Sequence, residues 1–166
     1  MKIAIVQNLN PFQSGKTEMI SNLLMNKLKE FGHETELIHI PFVIQNEKEL
    51  IRQLKTVQLL HLQTFFDKVI ALEIPACFVR HSNKTLWLVN SASFFQEMEK
   101  NNIKQSLIRK FISFSQKSIG SCSGLFALSK KDCAFLKKYL EKDCEILFPT
   151  SNQKEEWERV VKKLIL

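Results

Sequence analysis

The sequence predicts one α/β domain on a doubly wound, mainly parallel sheet with helices on both faces. Three observations predict it. Short apolar runs alternate with amphipathic stretches along the whole chain, which is the pattern of βα units. The apolar runs are nearly continuous rather than alternating, as strands covered on both faces require. The length of 166 residues suits a single core, and 45% hydrophobic with 25% charged residues is ordinary globular composition. Right-handed crossovers then place helices on the two faces in a Rossmann-like layering.

Each element follows in order. Residues 2–6 (Lys-Ile-Ala-Ile-Val) read as a buried strand. A loop with Pro11 leads to a helix over 16–31, whose apolar side carries Met19, Ile20, Leu23, Leu24, Leu28 and Phe31. Gly32 stands where a left-handed residue closes a helix. Residues 33–40 read as a second strand, ended by Pro41. A helix is predicted over 47–62 and strands over 68–72 and 85–89. A long helix over 101–122 and a strand over 124–128 come next. Ser129 caps a following helix, with Asp132 at its third position. A sixth strand is predicted over 144–148, and a last helix over 153–166 turns Trp157, Val160, Val161 and Leu164 inward.

Composition excludes several classes. Four Gly and four Pro argue against collagen-like or linker chains. The apolar stretch 3–6 is too short for a secretory leader, and 69–79 is too short to span a bilayer. The four cysteines, at 77, 122, 133 and 144, form no C-x-x-C pair, so no metal site is expected. They read as reduced thiols of a cytoplasmic protein. Cys77 and Cys122 in particular read as small buried hydrophobes. His81, beside Arg80, reads as half of a solvated basic pair. The net charge of +7 is spread along the chain. That excludes a dedicated nucleic-acid stripe and leaves weak attraction to phosphate or anionic lipid, including peripheral contact of the basic helix 101–122 with the inner membrane face.

Ligands of doubly wound sheets sit at the carboxyl ends of strands. That rule nominates Gln7 and Asn8 with the loop through Ser14, Gly15 and Lys16, then Glu73, Asn90, Ser91 and Ser129. The string Ser14-Gly15-Lys16-Thr17 resembles the end of a nucleotide-phosphate loop, but position 10 is Asn and position 11 is Pro. The amide cradle of that motif is therefore missing. What remains is an anion site at a helix N-terminus. Only four glycines are present, so no G-x-G-x-x-G fingerprint can be built, and no G-x-S-x-G nucleophile exists. No nucleotide cofactor is expected on these grounds.

Three stretches resemble the N-terminal domain of family 4 glycosyltransferases, of the GT-B fold. The first is residues 1–6 with the loop to Gly15 and Leu28-Lys29-Glu30-Phe31-Gly32-His33-Glu34. The second runs from Phe66-Asp67-Lys68-Val69-Ile70-Ala71 through Val79-Arg80-His81-Ser82-Asn83-Lys84 to Leu86-Trp87-Leu88-Val89. The third is Gly124 to Lys131 with Glu145-Ile146-Leu147-Phe148-Pro149. The resemblance covers residues 1–149, with 150–166 as a closing helix, and the donor-binding second domain is missing. It implies the acceptor-side half of a nucleotide-sugar-dependent transferase, inactive alone. Its partners would be a separate donor-domain protein and a sugar or glycolipid acceptor. The family's catalytic His is replaced by Asn90, so no catalytic residue is assigned. A non-catalytic module binding sugar, phosphate or protein is the alternative. A flavodoxin-like reductase is the third reading, with Ser14 and Thr17 near a flavin phosphate.

Overall fold

The computed structural model describes residues 1–9, 15–42, 45–90, 98, 100–149 and 153–166. The elements are β1 (Lys2–Leu9), α1 (Lys16–Glu30), β2 (Glu34–Pro41), α2 (Glu47–Leu59) and β3 (Lys68–Ala71). A 3₁₀ turn (Pro75–Phe78) and β4 (Lys84–Leu88) follow. The chain closes with α3 (Gln105–Gly120), β5 (Gly124–Ala127), α4 (Lys130–Leu140), β6 (Glu145–Ile146) and α5 (Lys154–Ile165).

All six strands are parallel, in the order β2-β1-β3-β4-β5-β6. The doubly wound α/β sheet predicted from the sequence is what the chain forms. Alternation along the strands divides the core in two. Ala4, Val6, Val69, Ala71, Leu86 and Leu88 face α2, the 3₁₀ turn, α3 and α4. Ile3, Ile5, Ile70, Leu72, Trp87 and Val89 face α1 and α5. Trp87 and Trp157 meet edge to face there, with centroids 6.5 Å apart, and the Trp87 indole N–H donates to the Leu147 carbonyl at 3.0 Å.

The helix ends follow local chemistry. α1 buries Ile20, Leu24 and Leu28, one turn apart, and Gly32 at φ 81° closes it as expected. α2 starts at Asn46, whose side chain accepts the Glu49 N–H at 2.9 Å. It stops at Leu59 rather than 62, because Leu60 is extended and residues 60–62 pair with Arg80. α3 begins four residues later than the periodicity predicts, since Asn102 is left-handed and Lys104 extended. β6 keeps only two residues of the five predicted.

Two sequence expectations are corrected by packing. His81 is buried: its Nε2 donates to the Phe66 carbonyl at 2.9 Å, and Nδ1 accepts the Asn83 N–H at 3.1 Å. The sulfurs of Cys133 and Cys144 are joined, so the chain does not carry four reduced thiols. No helix among the described residues is long and apolar enough to cross a membrane.

Candidate functional site

The sheet reverses its winding between β1 and β3, and the carboxyl ends of these two strands carry a polar cluster. β1 is buried through Gln7, which is 3% exposed. In parallel register Gln7 lies beside His39 of β2, and the Gln7 amide donates to His39 Nε2 at 2.9 Å. The next residue, Asn8, donates its backbone N–H to Glu73 Oε2 at 2.9 Å. Glu73 Oε1 accepts the Thr17 hydroxyl at 3.1 Å. One carboxylate therefore ties the ends of β1 and β3 to the first turn of α1. Burial pushes the Glu73 carboxyl above its usual range, and the two hydrogen bonds hold it partly back.

Two buried oxygens in this cluster, Gln7 Oε1 and Asn8 Oδ1, have no hydrogen-bond partner among the described residues. Buried acceptors of this kind are rare in folded proteins and call for a donor. Beside them, Gly15 is the N-cap of α1 and offers no side chain to the first-turn N–H groups. A methyl group added at Gly15 would meet nothing within 4 Å. Among the described residues the helix start is thus open, with Lys16 exposed next to it in a depression of about 440 Å³. Open N–H donors with the helix dipole suit an anion, and the carboxamide oxygens suit hydroxyl or amine donors. Among the described residues no group of three or more His, Cys, Asp or Glu could hold a metal ion.

Of the residues the sequence nominates, Asn8 and Glu73 are hydrogen-bonded to each other, and Gly15 and Lys16 open the helix whose Thr17 reaches Glu73. Ser14 and Ser91 lie outside the described residues. Asn90 follows β4 at its carboxyl end, half-buried. Ser129 is committed to capping: its hydroxyl accepts the Asp132 N–H at 3.3 Å and donates to the Asp132 carboxylate. The sequence did not reveal that Thr17 holds Glu73 or that His39 meets Gln7. Both contacts depend on the β1–β2–β3 register, which no local signal specifies.

The strand order 2-1-3-4-5 is the flavodoxin-like form of the doubly wound sheet, here with β6 added at the edge. No protein-family model matches the chain, and no curated protein matches it. Solved structures do. A Streptococcus pneumonia TIGR4 flavodoxin matches at 13% identity and a TM-score of 0.43, over 99% of this chain and 97% of that one. An NAD(P)H:quinone oxidoreductase from Methanothermobacter marburgensis matches at 10% identity and 0.39, over 99% and 93%. An azoreductase from Bacillus anthracis str. Sterne matches at 11% identity and 0.38, over 97% and 99%.

The strand order is the flavodoxin-like one, and none of these three structures is a glycosyltransferase, so the glycosyltransferase expectation is corrected. With it goes the accessory-module alternative, which rests on Asn90 standing for that family's His. The physical reason is visible in the string Val79 to Lys84, the most specific part of the resemblance. It lies at the amino end of β4, opposite the ligand edge, and His81, Ser82 and Lys84 are committed to turn and core contacts. His81 bridges Phe66 and Asn83. The Ser82 N–H and hydroxyl bond the Gln63 side chain at 2.7 Å each. Lys84 is buried and donates to the Cys77 and Val79 carbonyls. The motif is turn and core chemistry.

Proposed function

We propose that this chain is a flavodoxin-like domain that binds flavin mononucleotide at the β1/β3 switch point and serves in electron transfer. One observation carries it: among the described residues, a helix start at Gly15 without a side-chain cap follows a strand end whose two buried carboxamide oxygens lack donors. Flavin mononucleotide offers both complements. N–H groups at the start of α1 would hold its phosphate, and Gln7 and Asn8 would accept from its ribityl hydroxyls. When bound, the flavin supplies one- and two-electron transfer.

The chain's own residues would do the holding. Gly15 admits close approach of a phosphate to the backbone, and Lys16 adds a positive charge at the rim. Glu73 fixes Asn8 and Thr17 in place. Because burial favours its protonated form, it opposes a neighbouring phosphate less than an exposed glutamate would.

The test is titration of the purified chain with flavin mononucleotide, followed by flavin fluorescence and by colour retained through gel filtration. The expected result is quenching and a yellow protein. Asn8→Ala should weaken binding about tenfold, one lost hydrogen bond to a buried partner being worth roughly 1.5 kcal/mol, and Gly15→Val should weaken it by crowding the phosphate. A colourless chain that leaves the flavin fluorescence unchanged overturns the proposal.

A further inference from the structure

A second chemical centre lies at the opposite end of the sheet. Cys77, in the 3₁₀ turn, is fully buried, and Cys122, just past α3, is half-buried. They are 45 residues apart in sequence, yet their sulfurs are 3.7 Å apart. Ser118 braces both. Its hydroxyl lies 3.9 Å from Cys77 Sγ and donates to the Cys77 carbonyl at 2.9 Å, and its own carbonyl accepts the Cys122 S–H at 3.7 Å. The sulfurs need only close from van der Waals contact to a bond of about 2.05 Å. The switch-point site uses neither of them.

Beside the pair is a cleft of about 450 Å³. Ser118 and Ser121 of the Cys122 helix end form one wall, and Arg80, Lys84 and Lys117 are also on its lining. No acidic residue lines it among the described residues. A small anion is favoured there by charge, and Lys84 already lies against the Cys77 carbonyl.

We propose that Cys77 and Cys122 are a redox-active dithiol that reduces a small anionic disulfide docked in this basic cleft. The half-buried Cys122 sulfur attacks one sulfur of the disulfide RS–SR and passes its proton to the Cys77 thiolate in contact with it. That S–S bond breaks, one RS⁻ leaves and takes a proton, and a mixed disulfide remains on Cys122. The Cys77 sulfur then attacks Cys122 Sγ and expels the second RS⁻, which takes the other proton. Two protein thiols are oxidised to one disulfide, and one small disulfide is reduced to two thiols. The hydrogen bond between the sulfurs, aided by Lys84 and opposed by burial, holds the Cys77 thiol down to about 7, while that bond and burial push Cys122 up. The pair thus sheds one proton near neutrality and shares the other across the contact.

The test treats the reduced full chain with oxidised glutathione and maps the peptides by mass. The expected product is a Cys77–Cys122 cross-link with loss of two hydrogen atoms and release of two glutathione molecules. Cys77→Ser should stop at one glutathione held on Cys122, and Cys122→Ser should take none. Replacing Arg80 and Lys117 by Gln should slow oxidation by glutathione about tenfold and leave oxidation by the neutral bis(2-hydroxyethyl) disulfide unchanged. Absence of the cross-link in the unmodified chain, or no trapped glutathione in Cys77→Ser, overturns the dithiol. Equal slowing with both oxidants overturns the role of the cleft.

Discussion

The Glu73 carboxylate accepts the Asn8 backbone N–H at 2.9 Å and, through its other oxygen, the Thr17 hydroxyl at 3.1 Å. A side chain that is 3% exposed therefore joins β1, β3 and α1 at the sheet edge where ligands of this fold bind.

Glu73 sets a pH dependence with a definite sign. Burial raises its folded-state carboxyl above the ordinary 4.5, so the folded chain binds that proton more tightly than the unfolded chain does. Its contribution to stability is fully present below 4.5 and is lost as pH rises through the raised value. Glu73→Gln keeps an acceptor for Asn8 without the charge. The variant should gain stability over the parent as pH rises from 4 to 7, a difference readable as Tm against pH. A constant difference across that range would show that Glu73 titrates as an exposed carboxylate does.

Lys68 carries the opposite sign. It is fully buried at the start of β3 and donates to Asn83 Oδ1 at 2.8 Å and Ser123 Oγ at 3.1 Å. Burial lowers its ammonium below 10.5, so parent stability climbs as pH rises from that lowered value toward 10.5. Lys68→Met should be more stable at neutral pH by ~1 kcal/mol, since apolar replacements of buried charges often are. Urea unfolding at increasing pH should show the gain shrinking.

Ser129 is a cap, and its removal should read as one. Ser129→Ala loses the acceptor for the Asp132 N–H, at about 1 kcal/mol, or roughly 2–4 °C in Tm for a domain of this size. Ligand binding should be unaffected. Loss of binding without loss of stability would return Ser129 to the site.

Trp157 anchors the last helix against β4 in the α1/α5 layer. Trp157→Ala should cost about 3–5 kcal/mol, or a Tm lower by about 6–20 °C, as for other large core truncations. A calorimetric change within 1 °C would mean that α5 contributes little to the fold.

Periodicity made the sheet and its helices legible, because buried strands and amphipathic helices must show their apolar faces in the sequence. The α1 bounds and the Gly32 closure follow directly from spacing. The carboxyl-edge rule nominated Asn8 and Glu73, which the structure joins by a hydrogen bond. Contacts between strands were beyond it: the Gln7–His39 bond and the Cys77–Cys122 contact are set by register and by the 3₁₀ crossover. The burial of Lys68 and Lys84 has no sequence signal, since a lysine starting a strand looks the same whether it points to water or to buried carbonyls. The string Val79 to Lys84 suggested transferase kinship for a related reason. Its residues satisfy a turn and a buried polar network, and sequence similarity alone does not separate that need from catalysis.

The chain has two tryptophans, and both belong to one edge-to-face pair on one side of the sheet. Intrinsic emission is therefore a local probe. It reports whether α5 is docked and is blind to the layer of α2, α3 and α4. Far-UV dichroism averages over all the helices, so denaturation curves from the two signals compare the layers without any introduced label. Superimposable curves would identify a single cooperative unit, whereas an earlier fluorescence transition would identify α5 as the first element to detach.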